Sequence, residues 1–131
     1  MLYRNQRQMS QERQTLGRWG EDRAVRYLKK RRFKIIERNY TSPIGEIDII
    51  CRKKDLLVFV EVKTRRKEAI ISPRYSVSTR KQRKISRVAQ YYLKTNRCEN
   101  PRCRFDVIEV WAGKGKRPEK IIHLPGAFRL P

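Results

Sequence analysis

The chain has 131 residues, and its 34 lysines and arginines stand against 13 aspartates and glutamates, a net charge of +21. That length supports one domain with one modest core. A charge that lopsided is self-repulsive, so it points to a polyanionic partner and speaks against a neutral or acidic one. No apolar run reaches the ~20 residues that a membrane helix needs, and the polar start MLYRNQRQMSQERQ carries no signal-peptide h-region. The expected location is therefore the cytoplasm, with no membrane partner. Nucleic acid comes ahead of an anionic membrane surface, because no strongly cationic amphipathic helix with a bulky apolar face stands out. Three cysteines fit a reducing compartment.

In chain order, residues 1–14 read as a basic arm rich in Arg and Gln, either flexible or an extension of the next helix, with the flexible reading preferred, and residues 15–131 as a single domain. Leu16, Trp19, Gly20, Ala24, Tyr27 and Leu28 recur at three- and four-residue steps, which predicts a helix over 16–31. Glu21 lies at the edge of that apolar face. Its i+4 neighbour is Val25, so no local cation on that spacing explains it. Gly17 and Gly20 weaken a helix interior but allow another backbone to come close. FKIIERNY predicts a strand, and residues 41–45 a loop. Two alternating runs follow, joined at Lys54 and Asp55.

That hairpin, residues 45–66, is the unusual stretch: GEIDIICRKKDLLVFVEVKTRR. A two-residue turn sets Arg52 opposite Leu57, Asp48 opposite Glu61 and Glu46 opposite Lys63. Side-chain alternation puts Glu46, Asp48 and Ile50 on one face, with Ile47, Ile49 and Cys51 on the other. Like charges directly opposite each other on strands are unfavourable, and buried charges are costly unless something pairs with them. A divalent cation between Asp48 and Glu61 removes both objections. The plainer alternative is an exposed sheet face with a Glu46–Lys63 pair, which the apolar flanks Ile50 and Phe59 argue against.

Residues 65–77 are a basic connection without periodicity. Ser78 or Thr79 can cap a second helix reaching Thr95, with Ile85, Val88, Ala89, Tyr92 and Leu93 as its buried stripe. Arg80, Lys81, Arg83, Lys84 and Arg87 crowd its first turns. Cations there oppose the helix dipole, so helix stability does not explain them, whereas phosphate binding would. RFDVIEVW predicts a fourth strand and KIIHL a short edge strand. His123 is the only histidine. With no partner or pocket legible for it, it receives no catalytic role, and neither a Ser-His-Asp nor a Cys-His set is available.

The order helix, three strands, helix, strand, strand predicts an α/β domain with a mixed central sheet flanked by helices. Its chemistry centres on the acids. Phosphodiester hydrolysis benefits from a metal that polarises the phosphoryl group and activates water. Mg²⁺ (or Mn²⁺) takes oxygen ligands and often only one or two carboxylates. Asp48, Glu61 and the backbone carbonyl of Val62 would suffice, with Lys63 on the same face to stabilise developing charge.

Asp48, twelve residues, then Glu61-Val62-Lys63, after a helix bearing Glu21, resembles the PD-(D/E)xK nuclease superfamily, in particular its archaeal Holliday-junction-resolvase branch. GRWGEDRAVRYLKKRRFKIIERNY, GEIDII, VFVEVKTR, the Lys81-Gln82 helix start and RFDVIEV resemble the bacterial YraN-type family. The resemblance implies a restriction-endonuclease-like core, with Asp48, Glu61 and Lys63 as the catalytic set and Glu21 as an auxiliary, metal-binding or water-positioning carboxylate. It departs from the superfamily pattern in having Ile47, not Pro, before Asp48. The expected function is a Mg²⁺-dependent endonuclease on DNA, including branched DNA, with Arg65, Arg66, Arg80, Lys81, Arg83 and Lys84 holding phosphates. The alternative is a nucleic-acid-binding protein that keeps the fold without cutting. Resolvases of that branch are dimers, so a homodimer is the implied assembly. Trp19, Tyr91 and Trp111 are candidates either for that contact or for the core.

Overall fold

A computed structural model describes residues 5–66, 77–99, 101–114 and 117–129. Its elements are α1 (Gln6–Lys30), β1 (Lys34–Thr41), β2 (Glu46–Lys53), β3 (Leu56–Arg66), α2 (Thr79–Thr95), β4 (Arg102–Ala112) and β5 (Pro118–Phe128). The five strands form one sheet in sequential order. β1, β2 and β3 are an antiparallel meander, β3 and β4 run parallel, and β5 returns antiparallel along β4. A parallel pair needs a crossover, and α2 lies in that connection.

Each face of the sheet carries one helix. Ala24, Val25 and Leu28 of α1, with Phe33, pack on Ile49, Cys51, Val58, Val60, Ile108 and Val110. On the other face Ile85, Val88, Ala89 and Tyr92 of α2 pack on Ile47, Ile50, Leu57, Phe59, Phe105 and Val107. A strand covered on both faces reads as a continuous apolar run rather than an alternating one. That is why LLVFV opens β3 and is buried from Leu57 onward. α1 packs tightly on the sheet at Gly20, where a Cβ would collide with Thr64 Oγ1. Only glycine permits that approach.

The expected hairpin register is present. Arg52 pairs with Leu57, Cys51 with Val58, Ile50 with Phe59 and Ile49 with Val60, about a turn in which Lys54 adopts φ 55°. Strict alternation fails in one place. Ile47 and Ile50 both pack in the α2 core while Ile49 sits in the α1 core, so the side-chain phase slips beside Asp48.

Two expectations are corrected. Residues 6–14 are not a separate arm but the first turns of α1, since Asn5 caps Gln8 N–H and the Gln8 side chain accepts from Asn5 N–H. This capping box satisfies two free donors, and the Arg, Gln, Glu and Met that follow propagate a helix without an apolar stripe. Residues 1–4 of that arm lie outside the described residues. The final strand is eleven residues long rather than the short KIIHL segment. Residues 67–76 of the basic connection also lie outside the described residues. Among the described residues, no helix is long and apolar enough to cross a membrane.

Candidate functional site

The β2–β3 ladder stops at Ile49 and Val60, one residue short of the two acids. Beyond that point the Val62 amide donates to Asp48 Oδ2 at 2.8 Å, so a carboxylate takes the place of a strand partner. Asp48 is thereby fixed in the opening between the strands. Burial, then the charge of Glu61, push its pKa up to about 7, against the pull of the Val62 amide.

Glu61 is buried. Its Oε1 lies 2.6 Å from Lys81 Nζ and 3.6 Å from Lys63 Nζ. The Glu46–Lys63 pair of the plainer alternative is not formed: Lys63 turns to Glu61, and Glu46 is exposed. Burial and then the neighbouring Lys81 hold the Lys63 ammonium below its usual range. Burial works against the Lys81 charge as well, but the bond to Glu61, the charges of Glu61 and Asp48 and the contact with Lys63 together outweigh it and raise that group. Lys81 reaches Glu61 from the first turn of α2, which Ser78 caps by accepting from Lys81 N–H at 3.2 Å.

Glu21 is also buried. Its Oε1 accepts from Asn39 Nδ2 at 2.9 Å and from Arg38 Nε at 3.3 Å. Arg38 also pairs with Asp22. Neither Arg38 nor Asn39 was singled out in the sequence, although Asn in a strand that must adopt a positive φ, here 52°, is a usable signal. Glu21, Asp48 and Lys63 face a common cleft of about 340 Å³, completed by Arg13, Leu16, Gly17, Val62 and Thr64. Among the described residues, no three His, Cys, Asp or Glu side chains gather into a metal cage. Glu21 shares the cleft with Asp48, and its charge adds to the upward push on that acid.

The proposed phosphate contacts divide. Arg80, Lys81, Arg83 and Lys84 are exposed on α2, and Arg66 is exposed at the end of β3. Arg65 is committed elsewhere, with Nε 3.2 Å from Glu109 Oε2 and its guanidinium near the Trp111 ring. Trp111 itself is buried, which removes it as a free contact surface, while Tyr91 is exposed.

An all-oxygen set of two carboxylates and a backbone carbonyl suits a hard cation such as Mg²⁺, which retains waters and asks for few protein ligands. The raised Asp48 is the physical sign of fit, because two acids held close in a buried opening are relieved by a divalent charge.

His123, which showed no partner in the sequence, has two in the fold. Nε2 lies 2.7 Å from Asp106 Oδ2, and Nδ1 is 3.3 Å from Tyr27 Oη. Asp106 also accepts both Arg104 Nε and an Arg104 terminal nitrogen, at 2.8 and 2.9 Å, and the Gly126 amide at 3.0 Å. All three cysteines are free, and burial pushes the Cys51 thiol up to about 12.

A mixed sheet with one helix on each face, and acids placed where the central hairpin opens, defines an α/β domain of the restriction-endonuclease-like type. Within that class the chain belongs to the family described as "Uncharacterised protein family UPF0102", matched over residues 20–110, which is the YraN-type family its motifs resemble. Similar relatives include UPF0102 proteins of Syntrophotalea carbinolica (48% identical, covering 92% of this chain and 96% of the relative) and Desulfosudis oleivorans (52%, covering 78% and 83%). A third, from Syntrophomonas wolfei, is 43% identical over 86% of this chain and 96% of the relative.

Proposed function

We propose that this chain is a Mg²⁺-dependent endonuclease that hydrolyses phosphodiester bonds in DNA, with branched, Holliday-junction-like DNA as a substrate. The observation that carries this reading is the acid pair at the broken ladder: Asp48 bonded to the Val62 amide, and Glu61 beside it with Lys63 3.6 Å away. Asp48, Glu61 and the Val62 carbonyl would hold the cation. When bound, it supplies polarisation of the phosphoryl oxygen and activation of water. The chain's own residues do the rest. Lys63 presents a donor to the charge that develops on the phosphoryl oxygens. Lys81 fixes the Glu61 carboxylate, and Arg38 and Asn39 fix Glu21, where it can position water. Arg66, Arg80, Arg83 and Lys84 neutralise strand phosphates, so binding should weaken steeply with salt.

One observation favours a second reading, a nucleic-acid-binding protein that does not cut. Both Lys63 and Lys81 approach the same Glu61 oxygen, so that acid is already charge-compensated by the protein. Purified protein incubated with branched, duplex and single-stranded DNA plus Mg²⁺ or Mn²⁺ separates the two. The nuclease reading expects cleavage in the wild type that disappears in Glu61→Ala. Identical behaviour of the two on every substrate would sink it and leave the binding reading.

A further inference from the structure

Gly17 and Gly20 stand one turn apart on α1, and only one of them is required by packing. A Cβ at Gly20 would collide with Thr64, whereas a Cβ at Gly17 would meet nothing within 4 Å. Glycine in a helix interior is unfavourable, so packing gives no reason for Gly17. It faces the same cleft as Asp48 and Lys63. One turn earlier, Arg13 lines that cleft too, and among the described residues no ion pair engages its guanidinium. Arg13 therefore brings an uncommitted cation to a wall that already bears two acids, Glu21 and Asp48. The first turns of α1 precede its first buried residue, Gly20, and Arg13 is exposed on them.

We infer that Arg13 is a substrate-positioning residue: it binds a backbone phosphate next to the one that is cut, and Gly17 leaves the helix wall bare so that the sugar–phosphate chain can lie against α1. This rests on the nuclease reading and extends it, since it says which wall of the site the cleaved strand follows. The guanidinium suits the task because it offers several donors in a plane that matches phosphate oxygens. An exposed arginine on a cleft wall whose neighbouring acids are held by other groups, Glu21 by Arg38 and Asn39 and Asp48 by the Val62 amide, is free to take the ligand's charge.

The test measures binding and cutting separately on the full chain. Binding of labelled duplex and four-way-junction DNA is measured in the Asp48→Asn background across a salt series. Arg13→Ala should bind about tenfold more weakly, with the log–log salt slope reduced by about one. Arg13→Lys should recover part of the affinity, and Arg18→Ala, on the same helix but away from the cleft, should bind as the parent does. Gly17→Leu gives the sharper readout because its two effects have opposite signs. It should raise the melting temperature by about 3 °C through helix propensity, yet cut DNA at least about tenfold more slowly at subsaturating substrate by filling the strand's path. Unchanged binding in Arg13→Ala, equal losses in Arg13→Ala and Arg18→Ala, or full cleavage by Gly17→Leu would each overturn the inference while the wild type still cuts. A wild type that neither binds nor cuts any of these DNAs overturns the nuclease reading itself, and this inference with it.

Discussion

Asp48 and Asp106 are carboxylates on the same sheet, and they are treated in opposite ways. Asp106 is fully buried and saturated: Arg104, His123 and the Gly126 amide all bond to it. Burial alone would raise its pKa, but the His123, Arg104 and Gly126 donors together prevail and hold it below the usual carboxylate range. Asp48 is half-buried, with a single backbone donor and another acid as its neighbour, and it is pushed up to about 7. A buried acid that the protein satisfies is an element of the fold. One left short of partners carries its charge at a cost.

The largest effect expected from breaking this contrast is catalytic. Glu61→Ala should lower Mg²⁺-dependent cleavage by about 10³-fold, a loss on the order of 4 kcal/mol in barrier, with little loss of folding. Asp106→Ala should do the reverse. It strands Arg104 and His123 around a buried gap, so a urea melt should show about 3 kcal/mol lost, with any cleavage by the surviving folded fraction retained. Because the folded pKa of Asp106 is depressed, its contribution is fully present above the unfolded value of about 4. It is lost as pH falls through the folded value, and Asp106→Asn should remove that acid limb.

Asp48 carries the opposite sign. Its raised folded pKa means that folding favours the neutral form, so metal-free stability should fall as pH climbs from about 4 through about 7. Asp48→Asn should flatten that slope and stabilise the chain by about 2 kcal/mol at pH 8, as read by thermal melts. The smallest effect is metal-linked. Mn²⁺ at tenfold over its Kd should stabilise the wild type by about 1 kcal/mol. The shift should be larger at pH 8 than at pH 6, because the Asp48 proton must leave for the cation to bind. It should persist in Asp106→Asn and vanish in Asp48→Asn. An equal shift in all three proteins would place the cation away from the acid pair.

The two carboxylates also differed in how legible they were. The Asp48–Glu61 opposition could be read because the Lys54-Asp55 turn is short, which fixes the register through Ile49 and Val60. The phase slip beside Asp48 could not be read, since it comes from the ladder opening and not from local residue preference. Lys81 was legible as a basic helix start but not as the partner of Glu61, because that contact depends on how α2 docks across the sheet. The Asp106 network was hidden altogether. His123 meets Asp106 because β5 returns antiparallel beside β4, and its second partner, Tyr27, arrives from α1 at the other end of the chain. The helical start at Asn5 did have a signal, an Asn followed three residues later by Gln, but the polar composition around it masked that signal.

The bond from the Val62 amide to Asp48 has a spectroscopic consequence. Most strand amides in a sheet face neutral carbonyls whose charge never changes, whereas this one faces an oxygen that titrates near neutral pH. Its nitrogen and proton resonances should therefore move with the ionisation of Asp48 and again when a cation displaces that charge. The Val62 amide is a reporter built into the backbone, through which the state of the acid pair can be followed without any substrate present.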